Sequence, residues 1–195
     1  MISKLDICNL ALAQLGQEPI SSLGQDDERA RRCNLFYDPV RREVLRTHNW
    51  RFACAQADLE LLENASEAMG SYVYAYPQNC LFLRKVYAKG AVSESVAFKE
   101  LYRTELPGKV IICALPQAQV EYTRDVTDTT IFDPAFVKAF SLALAADLAL
   151  TLSADMNLAQ RILQLYTLAL DEARRSNMTE NFDVHAADSA FVESR

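Results

Sequence analysis

Residues 133–153 read DPAFVKAFSLALAADLALTLS, and we expect them to form the central element of the fold. Asp133 can cap the start of a helix, and Pro134 fits the first helical position because no amide hydrogen is needed there. The residues that follow are apolar around the whole circumference of a helix, and only Lys138 and Asp147 interrupt them. Such a helix is buried on all sides or lies in lipid. Two charges in so short a run argue against a membrane span, which needs about 20 mostly uncharged residues, so we predict the central helix of a soluble protein.

Two further helices are indicated near the ends of the chain. Residues 3–15 carry apolar side chains at helical spacing, and Ser3 and Asp6 have the spacing of a capping box. Residues 157–176 show a second apolar stripe of the same kind. Because the link to the central helix is short, these two helices are expected to form an antiparallel pair.

Another helix is predicted from residue 26 or 27 to about residue 48. Acidic residues at its start suit the positive end of the helix dipole. Pro39 lies inside the pattern and removes one helical hydrogen bond, so we predict a kink or a break there.

The middle of the chain changes to short alternating runs that are typical of strands. Tyr72, Tyr74 and Tyr76 would share one strand face, where they could stack on a ligand. Such rows more often pack on a partner or cover a sheet, and we favour packing. The turn LPGK at residues 106–109 indicates a hairpin, because proline fixes φ and glycine permits positive φ. The candidate strands are residues 52–61, 71–76, 81–88, 96–103, 109–113 and 119–126.

Together these segments predict an α+β fold that is mainly α: a four-helix bundle with a β-sheet region inserted between helices two and three. The bundle would be discontinuous, formed by residues 1–50 and 133–180. The β-rich insertion would be residues 51–132, and residues 181–195 would form an extended tail. A chain of 195 residues fits one domain, or one domain with an insertion.

The composition is that of an ordinary globular protein. The net charge of −6 argues against general affinity for nucleic acid but leaves room for a local basic patch. The N-terminal stretch lacks the cleavage site of a signal peptide, so we expect a cytoplasmic product or one released by lysis. The five cysteines form no C-x-x-C pair, and buried reduced thiols are expected.

No pattern of catalytic or metal-binding residues stands out. The five glycines are scattered, so no phosphate-binding loop can be drawn, and His48 and His185 lack the spacing of metal ligands. The acidic groups at residues 26–28 and 125–133 fit helix starts and turns. We therefore predict no catalytic, metal or cofactor residues. A hydrolase-like enzyme, for instance with Cys54 and His48 as a pair, and a ligand-binding module with a Tyr-lined face are the alternatives.

Helix two is unusually rich in arginine for an acidic protein. Local ion pairs on a solvated face would account for this. The alternative is an interface with an acidic protein surface or with DNA phosphates, because the arginine fork suits both. The candidate interface residues, which include two aromatic residues of the same segment, are Arg29, Arg32, Tyr37, Arg41, Arg42, Arg46 and Trp50.

Five blocks of sequence, taken in order, carry a family resemblance over about residues 5–180. They read CNLALAQLGQEPISSL (8–23), RRCNLFYDPVRREVLRTHNWRFACAQADLEL (31–61), YAYPQNCLFLRKVY (74–87), VEYTRDVTDTTIFDPAFVKAFSLALAADLAL (120–150) and LALDEARRSNMTE (168–180). In this order they resemble the tail tubular protein A family of tailed phages and prophages. The second and fourth blocks contribute most to the resemblance.

The resemblance implies a structural virion protein and no enzyme. Members of that family act as head-to-tail adaptors, also called gatekeeper or tail-completion proteins. They form a ring, typically of twelve copies, between the portal and the tail nozzle or tube. The implied partners are the portal protein, the nozzle or tube protein and further copies of the chain, with DNA only as passing cargo and with no membrane or cofactor. The implied location is the virion, after assembly in the cytoplasm of a bacterial host. Tyr37, Arg41 and Trp50 lie in a matching block, whereas the tail after Asn181 lies outside it.

Overall fold

The computed structural model describes residues 1–64, 72–90, 94–103, 108–153 and 155–179. The chain divides into two compact units, a helical unit (Met1–Val44 and Asp128–Arg195) and a β-rich unit (Leu45–Thr127). The helices are α1 (Lys4–Gln14), α2 (Glu28–Arg46), α3 (Pro134–Leu152) and α4 (Met156–Thr179). The predicted tail, residues 181–195, lies outside the described residues.

The central helix α3 begins and ends where the sequence predicts. The carboxylate of Asp133 accepts hydrogen bonds from the backbone N–H of Ala135 at 2.7 Å and of Phe136 at 3.3 Å, which satisfies two amides at the helix start. Most of its side chains are buried, and Phe140 and Leu148 are fully so. Among the described residues it is the one helix long and apolar enough to cross a membrane, a test that the core helix of a soluble protein also passes.

Helix α3 packs mainly against α4 and α1. The ring of Tyr37 in α2 contacts the ring of Phe140 edge-on, with 5.0 Å between their centres. Helix α1 starts with the predicted capping box, in which Ser3 Oγ accepts from the N–H of Asp6 and the Asp6 carboxylate accepts from the N–H of Ser3. An ion pair of 3.4 Å between Lys4 and Asp38 connects α1 to α2.

The prediction of a four-helix bundle with a β-sheet region inserted between helices two and three is wrong. Such a bundle needs helices of comparable length whose apolar stripes meet on a common axis. Helix α1 has 11 residues and α4 has 24, so that they are about 16 and 36 Å long. Helix α4 also leaves several leucines exposed instead of turning them inward. The result is an α+β chain with four described helices and two antiparallel sheets.

Helix α2 continues through Pro39, which excludes the break of the two predicted alternatives and leaves the kink a prediction. Pro39 lies on the exposed side of the helix. Water can therefore hydrogen-bond the carbonyl of Leu35, which the missing proline N–H leaves without its helical partner.

The β-rich unit contains two antiparallel sheets, with strand orders β1-β7-β4 and β2-β3-β6-β5. Each of the six predicted runs contains one strand, and β2 was not predicted. Three of its four residues pair with β3, and a bulge between Leu61 and Glu63 interrupts the pairing. The strands are β1 (Cys54–Asp58), β2 (Leu61–Asn64), β3 (Tyr72–Ala75), β4 (Cys80–Ala88), β5 (Phe98–Tyr102), β6 (Lys109–Cys113) and β7 (Ala118–Arg124).

Strands β5 and β6 form the predicted hairpin, in register from Phe98 opposite Cys113 to Tyr102 opposite Lys109. Gly108 has φ of +92°, a conformation that glycine adopts readily because it lacks a Cβ atom. The other turn residues, 104–107, lie outside the described residues. The core of the unit joins the inner faces of both sheets and is formed by Tyr74, Leu83, Val86, Ile111, Cys113, Ala118 and Val120.

Candidate functional site: an interface on the helices

Two of the predicted interface arginines lie in local ion pairs at the start of α2. Arg29 Nη2 is 2.6 Å from the carboxylate of Asp27, and Arg29 Nη1 donates to the backbone carbonyl of Glu18 at 2.9 Å. Arg32 Nε is 2.6 Å from Glu28 Oε1, one helical turn earlier. These contacts correspond to the first interpretation, a solvated face with local ion pairs.

Asp27 holds Arg29 at the start of α2, and the pH dependence of its contribution to stability can be tested. Its carboxylate accepts hydrogen bonds from the guanidinium and the backbone N–H of Arg29, which lower the pKa of Asp27 from 3.8 to about 2. A lowered pKa means that the carboxylate stabilises the fold above about pH 4 and that this contribution is lost as the pH falls toward 2. We expect Asp27→Asn to have a lower melting temperature than the wild type at pH 7, and the difference to shrink at pH 3.

The matched control for this experiment is Asp26→Asn. Asp26 has the same charge, but its side chain is 96% exposed, and its contact with Arg31 is a surface ion pair. The control should change the melting temperature little at either pH. A deficit of Asp27→Asn that is the same at pH 7 and pH 3 would contradict the role of the ionised carboxylate.

Tyr37, Arg41 and Trp50 are buried, each with 2% or less of its surface exposed. Lys4 Nζ lies 4.4 Å from the centre of the Tyr37 ring, and burial raises the pKa of Tyr37 above its ordinary range. Arg41 Nε donates to Asp38 Oδ1 at 3.2 Å. Trp50 packs edge-on against His48 in the β-rich unit, with 5.1 Å between the rings. The three side chains therefore have packing roles within their own units.

The remaining two candidates, Arg42 and Arg46, are exposed. The guanidinium of Arg46 lies 5.4 Å from the centre of the Phe82 ring, within the β-rich unit. The seven candidates are thus divided between the two units and do not form one described surface. A role for them in contact with a partner stays a prediction.

Arg84 is a positioning residue that the sequence analysis missed. Its Nη2 donates to the carbonyls of Arg46 at 2.9 Å and His48 at 2.6 Å, and its Nε donates to Thr123 Oγ1 at 2.9 Å. The guanidinium also stacks on the ring of Phe82 at 4.5 Å. Burial lowers the pKa of Arg84. The signal in the sequence was a charge inside the otherwise apolar start of the run CLFLRKVY.

The enzyme alternative gains no support from Cys54. Burial, followed by the negative charge of Glu121, raises the pKa of this thiol. A nucleophilic cysteine needs the opposite shift, because the thiolate is the reactive form. All five cysteines are free, with Cys8, Cys33 and Cys113 buried and the other two half-buried.

The Tyr-lined face packs on the protein. Tyr74 belongs to the core of the β-rich unit, and its hydroxyl donates to the carbonyl of Leu115 at 2.5 Å. A cavity of about 230 Å³ lies beside it, smaller than the roughly 300–1,000 Å³ of typical ligand pockets. Asp58 at this cavity is already paired with Lys89 at 2.8 Å.

The most prominent unexplained surface lies on α4 in the helical unit. Leu163, Leu165 and Leu168 are 54%, 43% and 67% exposed. A shallow groove of about 260 Å³ runs beside Leu165 and Leu168, and the Lys138–Glu172 ion pair, 3.2 Å long, crosses it. Isolated exposed leucines are common, but Leu165 and Leu168 lie next to each other on one side of α4 and line this groove, which indicates a contact surface. Leu163 lies on a different side of the helix.

A scan against protein-family models and a search of the curated proteins found no match to this chain.

Proposed function

We propose that the chain is a structural virion protein of a tailed phage or prophage: a head-to-tail adaptor that forms a ring between the portal and the tail nozzle or tube. It acts by protein–protein contact and lets DNA pass through the ring. The ordered sequence blocks given above motivate this assignment, and the exposed leucines of α4 are the structural observation that supports it.

The α4 leucines matter because their exposure costs free energy that burial would recover. Removing apolar surface from water stabilises a contact by about 25 cal/mol for each Å² buried. Leu163, Leu165 and Leu168 lie within six residues of one another, on a helix whose inner stripe already packs against α3. A protein whose task is assembly has a use for such a surface.

Co-expression with the portal protein encoded in the same genome tests the proposal. We expect the chain alone to be a monomer or a loose oligomer, and a defined ring of the chain to form on the portal. Mass photometry gives the number of copies, and negative-stain microscopy shows whether they lie in a ring. An unrelated acidic protein of similar size serves as the control for nonspecific binding.

A chain that never associates with the portal would contradict the proposal. So would association in a variable number of copies, because an adaptor ring needs a fixed stoichiometry set by closed symmetry.

A further inference from the structure

Helix α4 borders an acidic face on one side. This acidic face consists of Glu43, Asp147, Leu150 and Leu163. Glu43, Asp147 and Leu163 line the same small cavity of about 80 Å³, and Leu150 lies one turn after Asp147 on α3. Burial, followed by the charge of Glu43, raises the pKa of Asp147. Neither carboxylate forms an ion pair with any residue that the structure describes.

A basic face lies on the other side of α4. It consists of Arg161, Leu165, Leu168 and Arg175, whose spacing places them along one side of the helix. All four side chains are exposed. Within the described part of the chain, Arg161 and Arg175 form no ion pair. Glu172, which lies between them, is already paired with Lys138.

The two faces point in different directions. At about 100° per residue, Leu163 projects roughly 140–160° away from Leu165 and Leu168 around the helix axis. Each face combines two exposed leucines with two charges of one sign, and the signs are opposite. Contact between two acidic faces or between two basic faces would bring like charges together, which disfavours a two-fold dimer that pairs either face with itself.

We infer that the acidic face of one copy docks on the basic face of the next copy, head to tail. This inference rests on the ring of the proposed function and names the contact that builds it. A contact between two different faces of the same chain is the kind that generates rings when the rotation closes. The leucines supply the apolar burial, and the charges set the direction and register.

Sedimentation velocity of the purified chain tests this without the portal. The variants are Glu43→Lys with Asp147→Lys, Arg161→Glu with Arg175→Glu, and all four changes together. We expect the wild type to associate with rising concentration, more strongly at low salt. Each double variant should lose at least about tenfold in affinity, corresponding to about 1.4 kcal/mol. The fourfold variant should recover it, because its faces are complementary again.

The matched control is Glu18→Lys with Asp26→Lys, which changes the net charge equally at two exposed positions of the helical unit. It should associate like the wild type. Recovery in the fourfold variant would also show that the double variants do not lose affinity through misfolding, since two more substitutions would not repair a folding defect.

Three outcomes would overturn the inference: a monomeric wild type at all concentrations, double variants that associate normally, or a fourfold variant that does not recover. Because the assay contains no portal, its failure leaves the adaptor proposal standing. Conversely, intact self-association without any binding to the portal would contradict the adaptor proposal and leave the self-docking inference standing.

Discussion

Replacing Phe140 by alanine is expected to lower the free energy of unfolding of the helical unit by about 3–5 kcal/mol. Phe140 is fully buried in α3, with its ring 5.0 Å from that of Tyr37 and 5.9 Å from that of Phe136. Truncation would remove this buried area and leave a cavity. Helix α3 is packed between other helices and cannot move inward to fill it, so most of the cavity would remain.

Urea denaturation, monitored with two spectroscopic probes, measures the loss of unfolding free energy in the helical unit separately from the β-rich unit. Far-UV circular dichroism reports mainly on the helices, whereas the fluorescence of Trp50, the single tryptophan, reports on the β-rich unit. The helical signal should shift to lower urea. The control is Leu35→Ala in α2, a leucine that is 59% exposed and should cost about 0.5 kcal/mol or less. Equal losses in the two variants would contradict a core centred on α3.

Replacing Arg84 by methionine is expected to destabilise the β-rich unit by about 2–4 kcal/mol, since each hydrogen bond from a charged donor contributes roughly 1.5–3 kcal/mol and such losses do not add fully. The substitution keeps much of the apolar stem but removes three donors. The carbonyls of Arg46 and His48 and the buried hydroxyl of Thr123 would lose their partner. Trp50, two residues after His48, is well placed to report the change.

Lys85→Met is the matched control for Arg84→Met, because it removes the same charge from an exposed neighbour on the same strand. It should leave the urea midpoint of the tryptophan signal nearly unchanged. Arg84→Lys separates charge from geometry, since an ammonium cannot reproduce the planar fork. If Arg84→Lys were as stable as the wild type, a positive charge alone would suffice and the three-way anchoring would be unnecessary.

The helices were predictable because their signals are local. The start of α3 is indicated by Asp133 and Pro134, and the start of α1 by Ser3 and Asp6. Each pair lies within four consecutive residues. The arrangement of the β-rich unit was not predictable from such signals. Strand β7 lies between β1 and β4, so its partners are set by contacts across about 30 to 70 residues of chain.

The surroundings of the candidate arginines were harder to predict, because an arginine in a sequence does not reveal its burial. Arg32 and Arg41 both lie on α2, yet Arg32 is paired at the surface and Arg41 is buried. The spacing does predict that Arg41 is buried, because Arg41 follows Tyr37 by four residues and so lies on the same side of the helix as the buried stripe. The exposed leucines of α4 were visible in the sequence but could not be distinguished there from core residues.

The helical unit is assembled from two separated segments, Met1–Val44 and the segment from Asp128 onward. During synthesis, α1 and most of α2 leave the ribosome before α3 exists. At roughly 5–20 residues per second, translating the intervening residues (about 80) takes on the order of 4–16 s. Through that interval the nascent chain carries the apolar side chains of α1, such as Ile7 and Leu12, without α3, the helix against which α1 packs. Chaperones that bind exposed apolar segments thus have a defined window in which to engage this protein, and it closes when α3 emerges.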